Sequence, residues 1–335
     1  MNKLLLPLLF SLAIATTVRA ERPYHLLKEI PVAGDTGWDD LTVDSAAQRL
    51  YVSHGAKVVV IDLASDTVAG EITNTPGVHA IAIAPELNRG FTSNGRENMV
   101  GIFDLKTLQI IARVNTETNP DAILYEPRWK KVYAFNGRSE SATVIDAASG
   151  TVTATIPLGG KPEFARADPA AGRIYVNIED KSEVAVIDTR THAVVNRWPN
   201  APGEAASGLA IDTKNHRLFP GCDNHLMVMM DSINGKVLAS VPIGEGVDGN
   251  AFDPGTQLAF ASCGDGTVTI AHEEGDKLTV VQTLKTEKSA RTMTIDPATH
   301  KIYLPAAKFE APAEGQRRGK MVPGTFKIMV YGMEK

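Results

Sequence analysis

Seven polar residues recur along the chain at intervals of 40, 42, 42, 44, 41 and 43: Asp39, His79, Asp121, Glu163, Ser207, Asp248 and Arg291. Each stands five residues before the end of a short segment otherwise made mostly of apolar and small residues, so burial alone does not explain a column without one apolar member. Brought together, four carboxylates, one imidazole and one guanidinium form a mixed ring that can hold a divalent cation or a small polar ligand. Asp39, Asp121, Glu163 and Asp248 are the candidate metal ligands, a divalent cation is the candidate cofactor, and His79 is the candidate proton-transfer group. The alternative is a turn position that sits in water. Regular alternation puts this column on the same face as the buried positions, so a ring requires a turn there. Pro120 and Pro162, each one residue earlier, support one.

A second pattern is Asn94-Gly95-Arg96 and Asn136-Gly137-Arg138, two tripeptides 42 residues apart. It predicts Arg96 and Arg138 on one face of neighbouring repeats, where they could clamp a carboxylate or phosphate. Alternatively Asn-Gly makes a type I′ hairpin turn and leaves the arginines solvated. His54, Asn177, Glu179, His225, Cys222 and Cys263 occupy comparable loops. The cysteines hold equivalent positions in adjacent repeats. Stacked sheets lie about 10 Å apart, whereas a disulfide needs Cα atoms within about 7 Å, which argues against a bridge. There is no Gly-x-Ser-x-Gly elbow, Cys-x-x-Cys pair, haem-attachment site or Gly-rich phosphate loop. A non-enzymatic protein that binds a small polar ligand or a protein partner is therefore the leading reading. The alternative is a metal-assisted lactonase or lyase, in which a ring-bound cation polarises a carbonyl while His79 moves a proton.

What positions these residues is a repeat of about 42 residues, the period of a propeller blade. Its first segments end at Asp44, Ala84, Glu126, Asp168, Asp212, Asp253 and Asp296, and seven residues after each stands Tyr51, Phe91, Tyr133, Tyr175, Phe219, Phe260 or Tyr303. Asp62, Asp104, Asp146, Asp188 and Asp231 each close a later apolar strand. The first unit reads as strands at 41–43, 50–53, 58–61 and 67–72. Four antiparallel strands cannot bury both faces alone, so the units must stack radially. The predicted fold is all-β, a seven-bladed β-propeller of four-stranded antiparallel blades. The seventh unit lacks its fourth strand and residues 24–32 form a fourth strand without the other three, so the N-terminal segment closes the ring as the last blade's outer strand.

Tyr51-Val52-Ser53, Val60-Ile61-Asp62, Ile187-Asp188 and the Asp-Pro turns at 168–169, 253–254 and 296–297 resemble the YVTN-type repeat. The chain as a whole is similar to the exported YncE-like propeller family. The resemblance implies a seven-bladed propeller in the bacterial periplasm, and implies no reaction. It also implies a Cys where Gly203 stands, which leaves Cys222 without a partner here.

Residues 1–20 combine Lys3, an apolar run and Val18-Arg19-Ala20, the pattern of a cleaved secretory signal peptide; residues 21–335 form the single propeller domain. The apolar run is too short for a membrane span, and no later segment approaches 18 apolar residues. The chain has 335 residues, 43% of them hydrophobic, enough for a large core. Losing Lys3 and Arg19 takes the formal charge from −5 to −7, which disfavours nucleic acid as a partner. The reading is an exported monomer. One connection is irregular: residues 305–325, rich in Pro and Gly and carrying Arg317, Arg318 and Lys320, should form no regular strand and should lean over the ring as a lid or docking loop. Excising 307–323 is expected to leave the fold intact.

Overall fold

A computed structural model describes residues 23–312 and 319–333; the signal-peptide segment, Arg317 and Arg318 lie outside them. The described residues form seven four-stranded antiparallel sheets. Blade 1 consists of Trp38–Asp44, Arg49–His54, Lys57–Asp62 and Thr67–Thr73. The inner strands of blades 2 to 7 are Val78–Ala84, Pro120–Glu126, Pro162–Asp168, Ala206–Asp212, Val247–Asp253 and Thr294–Asp296, so each ends on the residue the repeat marks. Consecutive inner strands touch around the ring, and that of blade 7 touches that of blade 1.

The recurring residue types explain the repeating geometry. The seven column aromatics are at most 3% exposed, and each fills space between stacked sheets. The residues that end the inner strands turn the chain: Asp44, Asp168 and Asp253 accept backbone N–H groups two or three residues on, and Glu126 accepts two. Asp62, Asp104, Asp146 and Asp188 do the same between third and fourth strands. This holds their carboxyls below the usual range, chiefly through backbone hydrogen bonds.

Closure occurs as the sequence predicts. Tyr24–Pro31 pairs with Lys327–Met333, completing a sheet with Lys301–Ala306 and Thr294–Asp296. Tyr24 donates its hydroxyl to the His300 carbonyl at 2.7 Å and packs edge-on against Phe260 of blade 6 at 5.3 Å.

The long connection departs from expectation. Pro305 lies inside a strand, opposite Ile328. The inner strand of blade 7 is only three residues long and pairs no further than Tyr303, so no ladder bond is needed from Pro305 on that side. Beyond it, Phe309 and Met321 form a bridge flanked by Glu310 N to Lys320 O and Val322 N to Lys308 O, both 2.8 Å. The loop thus has a paired base, because Phe309 packs on Trp38 at 6.0 Å and both Phe309 and Met321 join the core between blades 7 and 1.

Candidate functional site

All seven column residues line one cavity of about 400 Å³ at the mouth of the channel. The device that brings them there is a β-bulge, where a turn was expected. In blade 1 Trp38 pairs with His54 and Leu41 with Val52, so Asp39 and Asp40 together face Ser53. Register shifts recur at the same place in blades 2 to 6. An extra residue re-aims its own side chain without ending the strand. Serine hydroxyls bind the bulges: Ser53 accepts Asp39 N at 2.9 Å and Ser93 accepts Ala80 N at 3.0 Å. In blade 7 Arg291 precedes the strand, and its carbonyl accepts Gly249 N at 2.9 Å.

The ring divides into three linked groups. Asp39 Oδ2 lies 2.6 Å from His79 Nδ1, and Asp121 Oδ1 lies 3.4 Å from the same nitrogen. Lys161 bridges Glu163, at 2.6 Å, and Glu179. Asp248 accepts the Ser207 hydroxyl at 2.8 Å and pairs with Arg291 at 3.1 Å. Asp39, His79 and Asp121 place one ligand atom each within 4.8 Å of one another. Two carboxylate oxygens and one imidazole nitrogen fit a divalent transition ion or Zn²⁺, which would have to displace the Nδ1 proton.

The electrostatics follow from crowding acids into a half-buried cavity. Burial disfavours the His79 imidazolium, but the Asp39 hydrogen bond and the charges of Asp121, Asp39 and Glu163 outweigh it and raise its pKa. Burial pushes Glu163 up to about 7, against the opposing hydrogen bond from Lys161, and Asp248 up to about 6, against Arg291. Burial also raises Asp121.

Other expected residues land elsewhere. Arg96 and Arg138 line an adjoining cavity of about 420 Å³ that shares Asp39 and His79 with the first. Asn-Gly does not form type I′ turns there: neither Gly95 nor Gly137 has positive φ, and the left-handed residues are Asn98 and Glu140. Four residues separate the strands, Asn94 and Asn136 belong to the strands, and each arginine rides the middle of the loop. His54 is 1% exposed and stacks on Phe326 at 4.3 Å, where burial lowers its pKa. Asn177 is also buried, bonding the Ser207 and Gly208 carbonyls. Cys222 and Cys263 are buried, unpaired thiols.

Several cavity residues were not singled out from the sequence: Asp40, Lys161, Phe164 and Asp223. Arg166 was also overlooked; it reaches from blade 4 to the Asn250 carbonyl of blade 6 at 3.3 Å, past blade 5. It stands in a column otherwise filled by Thr42, Ala82, Leu124, Ala210, Ala251 and Thr294. A lone cation in a column without another charge was a legible signal. Its charge opposes the burial that raises Asp40 to about 7.

Fold and site together define a seven-bladed β-propeller with an acidic, ligand-sized cavity at its channel mouth. Among solved structures the chain is similar to that of U3-55K, with a TM-score of 0.75 and 11% identity over 93% of this chain and 98% of that one, a likeness of fold alone. No protein-family model and no curated protein matches the sequence.

Proposed function

We propose that this chain is an exported, periplasmic propeller of the YncE-like kind, acting as a monomer that captures a small ligand bearing a positively charged group at the channel mouth. The supporting observation is that one sequence column delivers seven side chains to a single cavity whose lining holds seven carboxylates, those of Asp39, Asp40, Asp121, Glu163, Glu179, Asp223 and Asp248. Lys161 and Arg291 are the fixed cations among that lining and His79 a titratable one, so the acidic groups outnumber them. Divalent cations are the simplest probes. Mn²⁺, Zn²⁺ or Ca²⁺ should raise the melting temperature, and Asp121→Ala with Glu163→Ala should abolish the rise. Equal shifts in parent and variant overturn the reading.

The lactonase or lyase reading draws on one observation, the Asp39–His79 contact, which orients the imidazole as a proton carrier needs. Lactone turnover lost in His79→Gln would favour it.

A further inference from the structure

The arginine-lined cavity beside the acidic one has no role in that reading, and its charges differ from the lysine and arginine that line the acidic cavity. Lys161 pairs with Glu163 and Glu179, and Arg291 pairs with Asp248. Arg96 and Arg138 line their cavity from neighbouring blades, and neither guanidinium has an ion pair or hydrogen bond among the described residues. Glycines shape the site. At Gly77, whose φ is +66°, a Cβ would fall 2.5 Å from Arg96 Cγ, so only a bare backbone lets the arginine stem lie flat there. At Gly95 a Cβ would fall 2.7 Å from His79 Nε2 and 3.1 Å from Asn119 Oδ1. The imidazole is therefore a shared wall: its Nδ1 edge meets Asp39 and Asp121 in the acidic cavity, and its Nε2 edge meets Gly95 in the arginine cavity.

We propose that the second cavity is an oxyanion subsite, in which Arg96 and Arg138 clamp a carboxylate or phosphate, and that the ligand of this face is a small dipolar molecule spanning both cavities. The dipolar part rests on reading the acidic cavity as a cation site; the subsite itself does not. Two unpaired guanidiniums attract an oxyanion locally, against the negative charge of the chain as a whole, and fork geometry gives each two parallel donors. Asp39 and His79 line both cavities, so the arginine position adjoins the carboxylates, which matches a molecule carrying an ammonium group a few bonds from its acid.

The test is calorimetric titration of the full chain with inorganic phosphate, malonate and phosphoethanolamine. Phosphate or malonate should bind saturably, the tighter of the two identifying the oxyanion class. Arg96→Gln with Arg138→Gln should weaken that binding at least tenfold while keeping the Mn²⁺-induced rise in melting temperature, which also shows that the variant is folded. Phosphoethanolamine should bind at least tenfold more tightly than phosphate, an advantage lost in Asp121→Ala with Glu163→Ala. Anion binding that is absent, or equal in parent and arginine variant, overturns the subsite and leaves the acidic cavity standing. Arginine-dependent phosphate binding without any cation effect upholds the subsite and overturns the acidic reading. Equal affinity for phosphate and phosphoethanolamine overturns the dipolar ligand.

Discussion

Raising the pH from 5 to 8 should destabilise the ligand-free protein, and the acidic cavity should account for much of the loss. Glu163 moves from an ordinary 4.5 to about 7 and Asp248 from 3.8 to about 6. An acid whose pKa is raised by folding keeps its proton longer in the folded state, so its stabilising contribution is complete below the unfolded value and disappears as pH climbs through the folded one. Both side chains are 14% exposed, so solvent screens them little. At about 1.4 kcal/mol per pKa unit, the interval from pH 5 to 8 removes about 3 kcal/mol through Glu163 and about 1 kcal/mol through Asp248. Asp40 and Glu273, each raised to about 7, act with the same sign, as does His79, while the lowered His54 and His192 act against it. The informative quantity is therefore a difference between variants. Urea unfolding at pH 5 and 8 should show a loss smaller by about 4 kcal/mol in Glu163→Gln with Asp248→Asn than in the parent. An equal loss in both proteins, or a parent that gains stability with pH, refutes the electrostatic account of the cavity.

Deleting residues 23–31 removes the outer strand of blade 7, with Tyr24 and Ile30 each 3% exposed. Two buried side chains and a strand's hydrogen bonds amount to about 5 kcal/mol or more, comparable with a whole domain's stability. Cooperative unfolding should vanish and return when the peptide is added in trans; an unchanged melting temperature overturns ring closure. Gly203→Cys should cross-link to Cys222, whose Sγ lies 2.5 Å from where the new Cβ would stand. Closing a loop of about 20 residues is worth about 3 kcal/mol, read as the gap between oxidised and reduced melting curves; free thiols throughout under oxidation refute it. Replacing residues 311–319 by a short Gly linker, which keeps the Glu310 to Lys320 bond, should leave unfolding unchanged. The wider cut at 307–323 also removes buried Ala307 and the Phe309 and Met321 contacts beneath Trp38, so it should cost about 3 kcal/mol or more. Equal stability of the two excisions counts against the loop's packed base.

The propeller was legible in the chain because blade stacking imposes the same demands at every turn of the repeat. An aromatic must fill each inter-sheet gap, which recovers Tyr51 and its six counterparts, and an acid must turn most corners, which recovers Asp44 and Asp168. The N-terminal strand was legible because an incomplete last unit and an orphan first strand complement each other. The seven members of the polar column were also visible, but their convergence was not. Period-two alternation assumes an unbroken pleat, and the bulge that turns Asp39 and Asp40 into the channel is set by how the inner strand registers on its neighbour. The same limit hid the reach of Arg166 to the Asn250 carbonyl, which joins residues 84 positions apart across a channel that exists only once the ring closes. It hid the placement of His79 too: a local motif cannot show that His79 and Asp39 line two adjoining cavities at once, because three blades must meet before either cavity has walls.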